Sequence, residues 1–83
     1  PISMKTITFR KRAARALRRL PARVQTRIVD ALNSYAETGE GKVRKLVNKE
    51  GARIRVDNYR AIFDETEEEI EVLAVGHRKD IYR

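Results

Sequence analysis

Residues 53–63 read Arg53-Ile54-Arg55-Val56-Asp57-Asn58-Tyr59-Arg60-Ala61-Ile62-Phe63, and this run decides the fold. Alternating residues precede Asp57-Asn58 and a second run answers after it, the pattern of two strands joined by a two-residue turn. With Asp57 and Asn58 as the turn, Val56 faces Tyr59, Arg55 faces Arg60, Ile54 faces Ala61 and Arg53 faces Ile62. Ile54, Val56, Tyr59, Ala61 and Phe63 then share one face, expected to be the core side. Arg53, Arg55 and Arg60 share the other. Like charges directly across a strand pair destabilise it by roughly 0.2–1 kcal/mol, so three guanidiniums on one face point to an anion to be gripped. The plainer reading is that each arginine lies along exposed sheet with its head in water.

Working outward, residues 65–68 form the next turn, and residues 70–75 are the most continuously apolar strand, hence an interior one. Gly76 is expected to close it. Upstream the period changes. Ala13, Leu17 and Leu20 fall on one helical face from about Arg12. Pro21 ends that helix and suits the first turn of another, whose stripe is Val24, Ile28, Leu32 and Tyr35 with Ala31 and Ala36 beside it. Gly39 and Gly41 terminate it. Residues 5–9, β-branched and alternating, form a first strand. Residues 43–47 fit either a loop or a short extra strand. The order is β-α-α-β-β-β, an α+β class in which a helical hairpin packs on a small, mostly antiparallel sheet.

The 83 residues make one domain, 1–83, with Pro1-Ile2-Ser3 before Met4 expected to be a vector-derived remnant. There is no cysteine and one histidine, which excludes a disulfide scaffold, a thiolate metal site and a two-histidine acid/base pair. Lys+Arg is 19 against Asp+Glu 12, a net charge of +7. Residues 1–29 hold nine basic side chains and no acid, whereas Asp64, Glu65, Glu67, Glu68, Glu69 and Glu71 crowd together. Such a dipolar chain can hold a phosphate backbone on one side and repel it on the other. A basic, cysteine-free chain without a long apolar run points to the cytoplasm and a polyanion partner, with no membrane span.

The tail continues the cationic theme. His77 and Arg78 follow Gly76 at once, with Lys79, Tyr82 and Arg83 beyond. Tyr82 among cations can stack on a base or, with positive neighbours favouring its phenolate, act on a phosphodiester. It can equally pin the tail to the core. His77 either protonates a leaving group or caps the strand end. Tyr35, Phe9 and Phe63 read as core. No glycine-rich phosphate loop, paired catalytic carboxylates or nucleophile–base pair is present.

The run quoted above, the apolar strand at 70–75, Gly76-His77-Arg78 and the terminal Ile81-Tyr82-Arg83 together resemble the RelE/ParE toxin superfamily, as do FRKRAARALRRLP and KVRKLVNKEGARIRV upstream. The resemblance spans Met4 to Arg83. It implies a toxin of a type II toxin–antitoxin pair. In the RelE branch it implies an endoribonuclease that needs no metal or cofactor and cuts mRNA on the ribosome. There the RNA 2′-hydroxyl attacks the phosphate, leaving a 2′,3′-cyclic phosphate and a 5′-hydroxyl. By position, Arg60, Arg78 and Tyr82 match the branch's catalytic residues, although Arg78 and Tyr82 stand closer together here.

Arg53 and Arg55 stand where the founding member has lysines. Arginine stabilises charge but does not exchange a proton at neutral pH, so Tyr82 and His77 are the candidates for acid/base work. Arg53, Arg55, Lys79, Arg83, Arg12, Arg15 and Arg19 are the candidate RNA-binding cations. The implied partners are mRNA, the ribosome and a RelB-like antitoxin, with operator DNA bound through the antitoxin in a hetero-oligomer. The alternatives are a ParE-like inhibitor of DNA gyrase, and a non-catalytic nucleic-acid-binding module using Arg12, Arg15 and Arg19 to touch phosphates.

Overall fold

Two registers, one local and one distant, build the sheet. In the computed structural model, which describes residues 4–47 and 49–81, the order is β1 (Thr6–Phe9), α1 (Lys11–Arg18), α2 (Ala22–Thr38), β2 (Val43–Lys45), β3 (Ala52–Val56), β4 (Tyr59–Glu65) and β5 (Glu69–His77). The local register is the β3–β4 hairpin, which pairs Arg55 with Arg60 and Val56 with Tyr59 as the two-residue turn requires. Asp57 takes a left-handed φ of 56°, a conformation that aspartate tolerates better than most residues. Its carboxylate meets Arg27 of α2 at 2.8 Å. The distant register is the parallel pairing of β1 with β5. The sheet order is β1-β5-β4-β3-β2, so β5 is interior and every pairing except β1–β5 is antiparallel.

Both helices cover one sheet face. Ala13 of α1 and Ile28, Leu32 and Ala36 of α2 pack with Ile54, Val56, Ala61, Phe63, Ile70, Val72 and Val75. Ile54 is 1% and Val56 8% exposed, which fixes the register, because a one-residue slip would exchange the faces. Each large side chain buried here stabilises by about 1.5–3 kcal/mol. The helical hairpin is stitched by Gln25, whose Nε2 donates to the carbonyls of Leu20 (2.8 Å) and Arg18 (3.3 Å) at the end of α1. Pro21 sits just before the first turn of α2, and Gly39 closes that helix with φ 77°. Tyr35 joins the core through its ring, tilted against Phe63 at 5.6 Å.

Three elements differ from the sequence reading. Residues 43–45 form a strand, β2, so the observed order has four strands after the helices. Its pairing with β3, Val43 against Ile54, buries an alternation too short to stand out in the sequence. The second turn is narrower than expected. Glu65 stays in β4 because Lys5 Nζ (2.6 Å) and Tyr35 Oη (2.7 Å) both donate to its carboxylate, while Thr66 Oγ1 accepts from the amides of Glu68 and Glu69. The last strand runs past Gly76 to His77, because Gly76 pairs with Arg60 and His77 with Tyr59. A bulge in β5 at Leu73, between the Ile62–Ala74 and Phe63–Val72 pairs, lets Val72 and Val75 both face the helices although three residues apart.

The Lys5–Glu65–Tyr35 clasp ties β1, β4 and α2 together and perturbs both acids. Burial, then the hydrogen bond and charge of Glu65, push the Tyr35 phenol up to about 12. Burial pushes the Glu65 carboxyl up, but the hydrogen bonds from Lys5 and Tyr35 and the charge of Lys5 outweigh it and hold it below its ordinary value.

Candidate functional site

The helix-free sheet face is assembled from cross-strand rows. One row runs Arg55–Arg60–Gly76 and the next Arg44–Arg53–Ile62–Ala74, across β2, β3, β4 and β5. Alternation puts arginine at every second position of β3, and β4 adds Arg60 opposite. Gly41, Lys42, Val43, Arg44, Arg53, Arg55 and Arg60 line a cleft of about 420 Å³. Arg60 is half-buried there. Its Nε is buried with no hydrogen-bond partner among the described residues, and one terminal nitrogen donates to the Tyr59 carbonyl at 3.3 Å.

The same face carries the opposite charge at its other end. Asp64 pairs with Glu71, and Glu71 with Thr8. There Arg10 reaches Glu71 at 3.3 Å and Thr8 donates to Glu69 at 2.8 Å. The ion pairs among the described residues are Lys5–Glu65, Arg10–Glu71 and Arg27–Asp57, and none involves Arg55 or Arg60. A cleft lined by five cations, of which Arg55 and Arg60 have no ion pair among the described residues, is an anion site by charge and by shape.

The structure thus brings Arg53, Arg55 and Arg60 together and adds Arg44 and Lys42, which the sequence reading missed. The signal for them is the alternation Lys42-Val43-Arg44-Lys45, whose one apolar residue faces the core. Arg78 begins the turn after β5, its amide donating to the Asn58 carbonyl at 2.7 Å. Lys79 is exposed in that turn.

His77 does not join the arginines. It pairs with Tyr59 on the helix-bearing face, the two rings edge to face at 5.5 Å and 81°. Arg12, Arg15 and Arg19 are exposed on the helix layer, across the sheet from the cleft. Tyr82 and Arg83 lie outside the described residues. Ile81, just before them, turns back over the open face: a Cβ on Gly76 would lie 3.8 Å from Ile81 Cβ.

Among the described residues no helix is long and apolar enough to cross a membrane, and no group of three or more His, Cys, Asp or Glu is placed to hold a metal ion.

Comparison with known structures shows the same fold. The chain is similar to the RelBE2 toxin–antitoxin complex of Mycobacterium tuberculosis, with 22% identity over 96% of this chain and 98% of that one and a TM-score of 0.79. It is similar to the RelB–RelE antitoxin–toxin complex of Methanococcus jannaschii, with 25% identity over 90% and 94% and a TM-score of 0.74. The YoeB dimer of Staphylococcus aureus matches at 20% identity over 90% and 98%, with a TM-score of 0.74. No curated protein matches the sequence. Residues 7–82 match the family of ParE toxins of type II toxin–antitoxin systems, parDE. The match covers nearly the whole described chain, and it places this protein in the ParE toxin family of type II toxin–antitoxin systems, within the RelE/ParE superfamily.

Proposed function

We propose that this toxin is a RelE-like endoribonuclease that cuts mRNA on the ribosome and grips the scissile phosphate in the arginine cleft. The observation that carries this reading is Arg60, held in a cleft of cations with its buried Nε unpartnered among the described residues. A buried donor left without a partner is costly, and a phosphoryl oxygen satisfies it. The 2′-oxygen bonds to phosphorus as its proton leaves to a base. The P–O5′ bond then breaks and the 5′-oxygen takes up a proton, giving a 2′,3′-cyclic phosphate and a 5′-hydroxyl. Preorganised guanidiniums stabilise the extra negative charge on the pentacoordinate phosphate. Arg60 and Arg78 are assigned to that clamp, with Arg53, Arg55 and Arg44 extending it along the RNA. Proton transfer is assigned to Tyr82, since the arginines hold their protons and the His77 ring stands on the other face.

The partner assigned to it is a RelB-like antitoxin, acidic enough to meet a chain of +7, acting in the cytoplasm with the ribosome and carrying the complex to operator DNA. The test is incubation of the purified toxin with mRNA on ribosomes. Cut mRNA ending in a cyclic phosphate is the expected result. A second reading, a ParE-like inhibitor of DNA gyrase, is favoured by the ParE family match. Arrested replication with cleaved DNA and intact mRNA would select it.

A further inference from the structure

We propose that His77 is a positioning residue: its Nδ1 caps a single helical turn over residues 78–81 and so fixes Ile81 over the arginine row. The Lys79 amide donates to His77 Nδ1 at 3.2 Å. The amides of Asp80 and Ile81 donate to the His77 carbonyl at 2.9 and 3.1 Å. That is the geometry of a helix N-cap, whose side chain accepts from the amide two or three residues on while its carbonyl accepts the first helical bonds. The Arg78 amide, the one left over, is taken by Asn58 at 2.7 Å. Tyr59 packs against the imidazole edge to face, with ring centroids 5.5 Å apart.

The turn has a direction. It starts on the last residue of β5 and returns Ile81 to Gly76, whose cross-strand partner is Arg60. Ile81, the residue before Tyr82 in the sequence, is therefore held at the arginine row while the turn is closed. His77 thus acts from the far face of the sheet, through the backbone, without touching RNA. The activity arm of this inference rests on the nuclease reading; the structural arm does not.

Three replacements separate capping from proton transfer. Asn is among the best N-caps, and its Oδ1 stands where Nδ1 does, so His77→Asn keeps the cap. His77→Gln carries its oxygen one bond too far, and His77→Ala has none. Amide hydrogen exchange on the free toxin is expected to show Lys79 about fivefold less protected in the Ala and Gln variants and unchanged in Asn. The kcat for RNA cleavage is expected to fall roughly five- to tenfold in Ala and Gln, with KM little changed and wild-type rates in Asn. Two results would overturn the proposal. One is Lys79 protection unaffected by His77→Ala. The other is loss of kcat in His77→Asn equal to that in Ala with the turn still protected, which would give His77 the proton. If the wild type cut no RNA, the nuclease reading would fall, and the exchange pattern would still decide the cap.

Discussion

Arg55 and Arg60 stand directly opposite each other across the β3–β4 hairpin, in a row whose third member is Gly76. Neither is answered by a carboxylate among the described residues. The pair opposes folding and favours an anion, so stability and function pull apart at this position. Arg55→Ala is expected to stabilise the free toxin by about 0.2–1 kcal/mol while weakening RNA cleavage. Urea denaturation beside a cleavage assay checks both signs, and loss of stability would show that the repulsion is already relieved.

The clasp gives stability a pH dependence at both ends. Glu65 has a folded pKa below its unfolded one, so its contribution is present above the unfolded value and is lost as pH falls through the folded one. Tyr35 is raised to about 12, so its contribution is full below the unfolded value near 10 and is lost as pH rises towards 12. Tyr35→Phe should lower stability at neutral pH by about 1 kcal/mol or less, read as a lower urea midpoint, and abolish the alkaline loss. An alkaline limb unchanged in that variant would assign it to another group.

Gly51 is held at φ 100°, and a Cβ there would lie 2.9 Å from Asp64 Oδ1 and 3.0 Å from the Phe63 carbonyl. Both the backbone conformation and the approach to β4 demand glycine. Gly51→Ala should cost on the order of 1–3 kcal/mol, read as a fall in the urea midpoint. A neutral result would mean that the turn leading into β3 relaxes freely.

What was legible in the sequence was local. Asp57-Asn58 with alternation on both sides fixed the hairpin, its register and the shared face of Arg53, Arg55 and Arg60, because a two-residue turn leaves no other pairing. The helices were legible from Ile28 and Leu32 at helical spacing and from Pro21 and Gly39. Long-range facts were not. β2 pairs Val43 with Ile54 across an intervening loop, so Lys42 and Arg44 entered the cleft unannounced. The β1–β5 pairing joins residues about sixty apart, and the bulge at Leu73 leaves no mark in an apolar run. His77 looked like a neighbour of the cationic site because it is adjacent in sequence, but alternation along β5 puts it on the opposite face from Gly76.

The antitoxin should meet this chain by electrostatic steering, since it carries +7 with nine cations before the first acid. The association rate is expected to fall steeply between low and high salt, measured by stopped flow. A rate independent of ionic strength would point to a mainly apolar interface.

The central claim is that the arginine cleft holds the scissile phosphate, and Arg60→Ala tests it most directly. Cleavage of mRNA on ribosomes should slow about a hundredfold, a loss on the order of 3 kcal/mol of transition-state stabilisation, with the fold retained by circular dichroism. Arg60→Lys should restore only part of it, because a point charge cannot reproduce the guanidinium fork. Undiminished cleavage, or undiminished toxicity without any cut mRNA, in a folded Arg60→Ala protein would contradict the account.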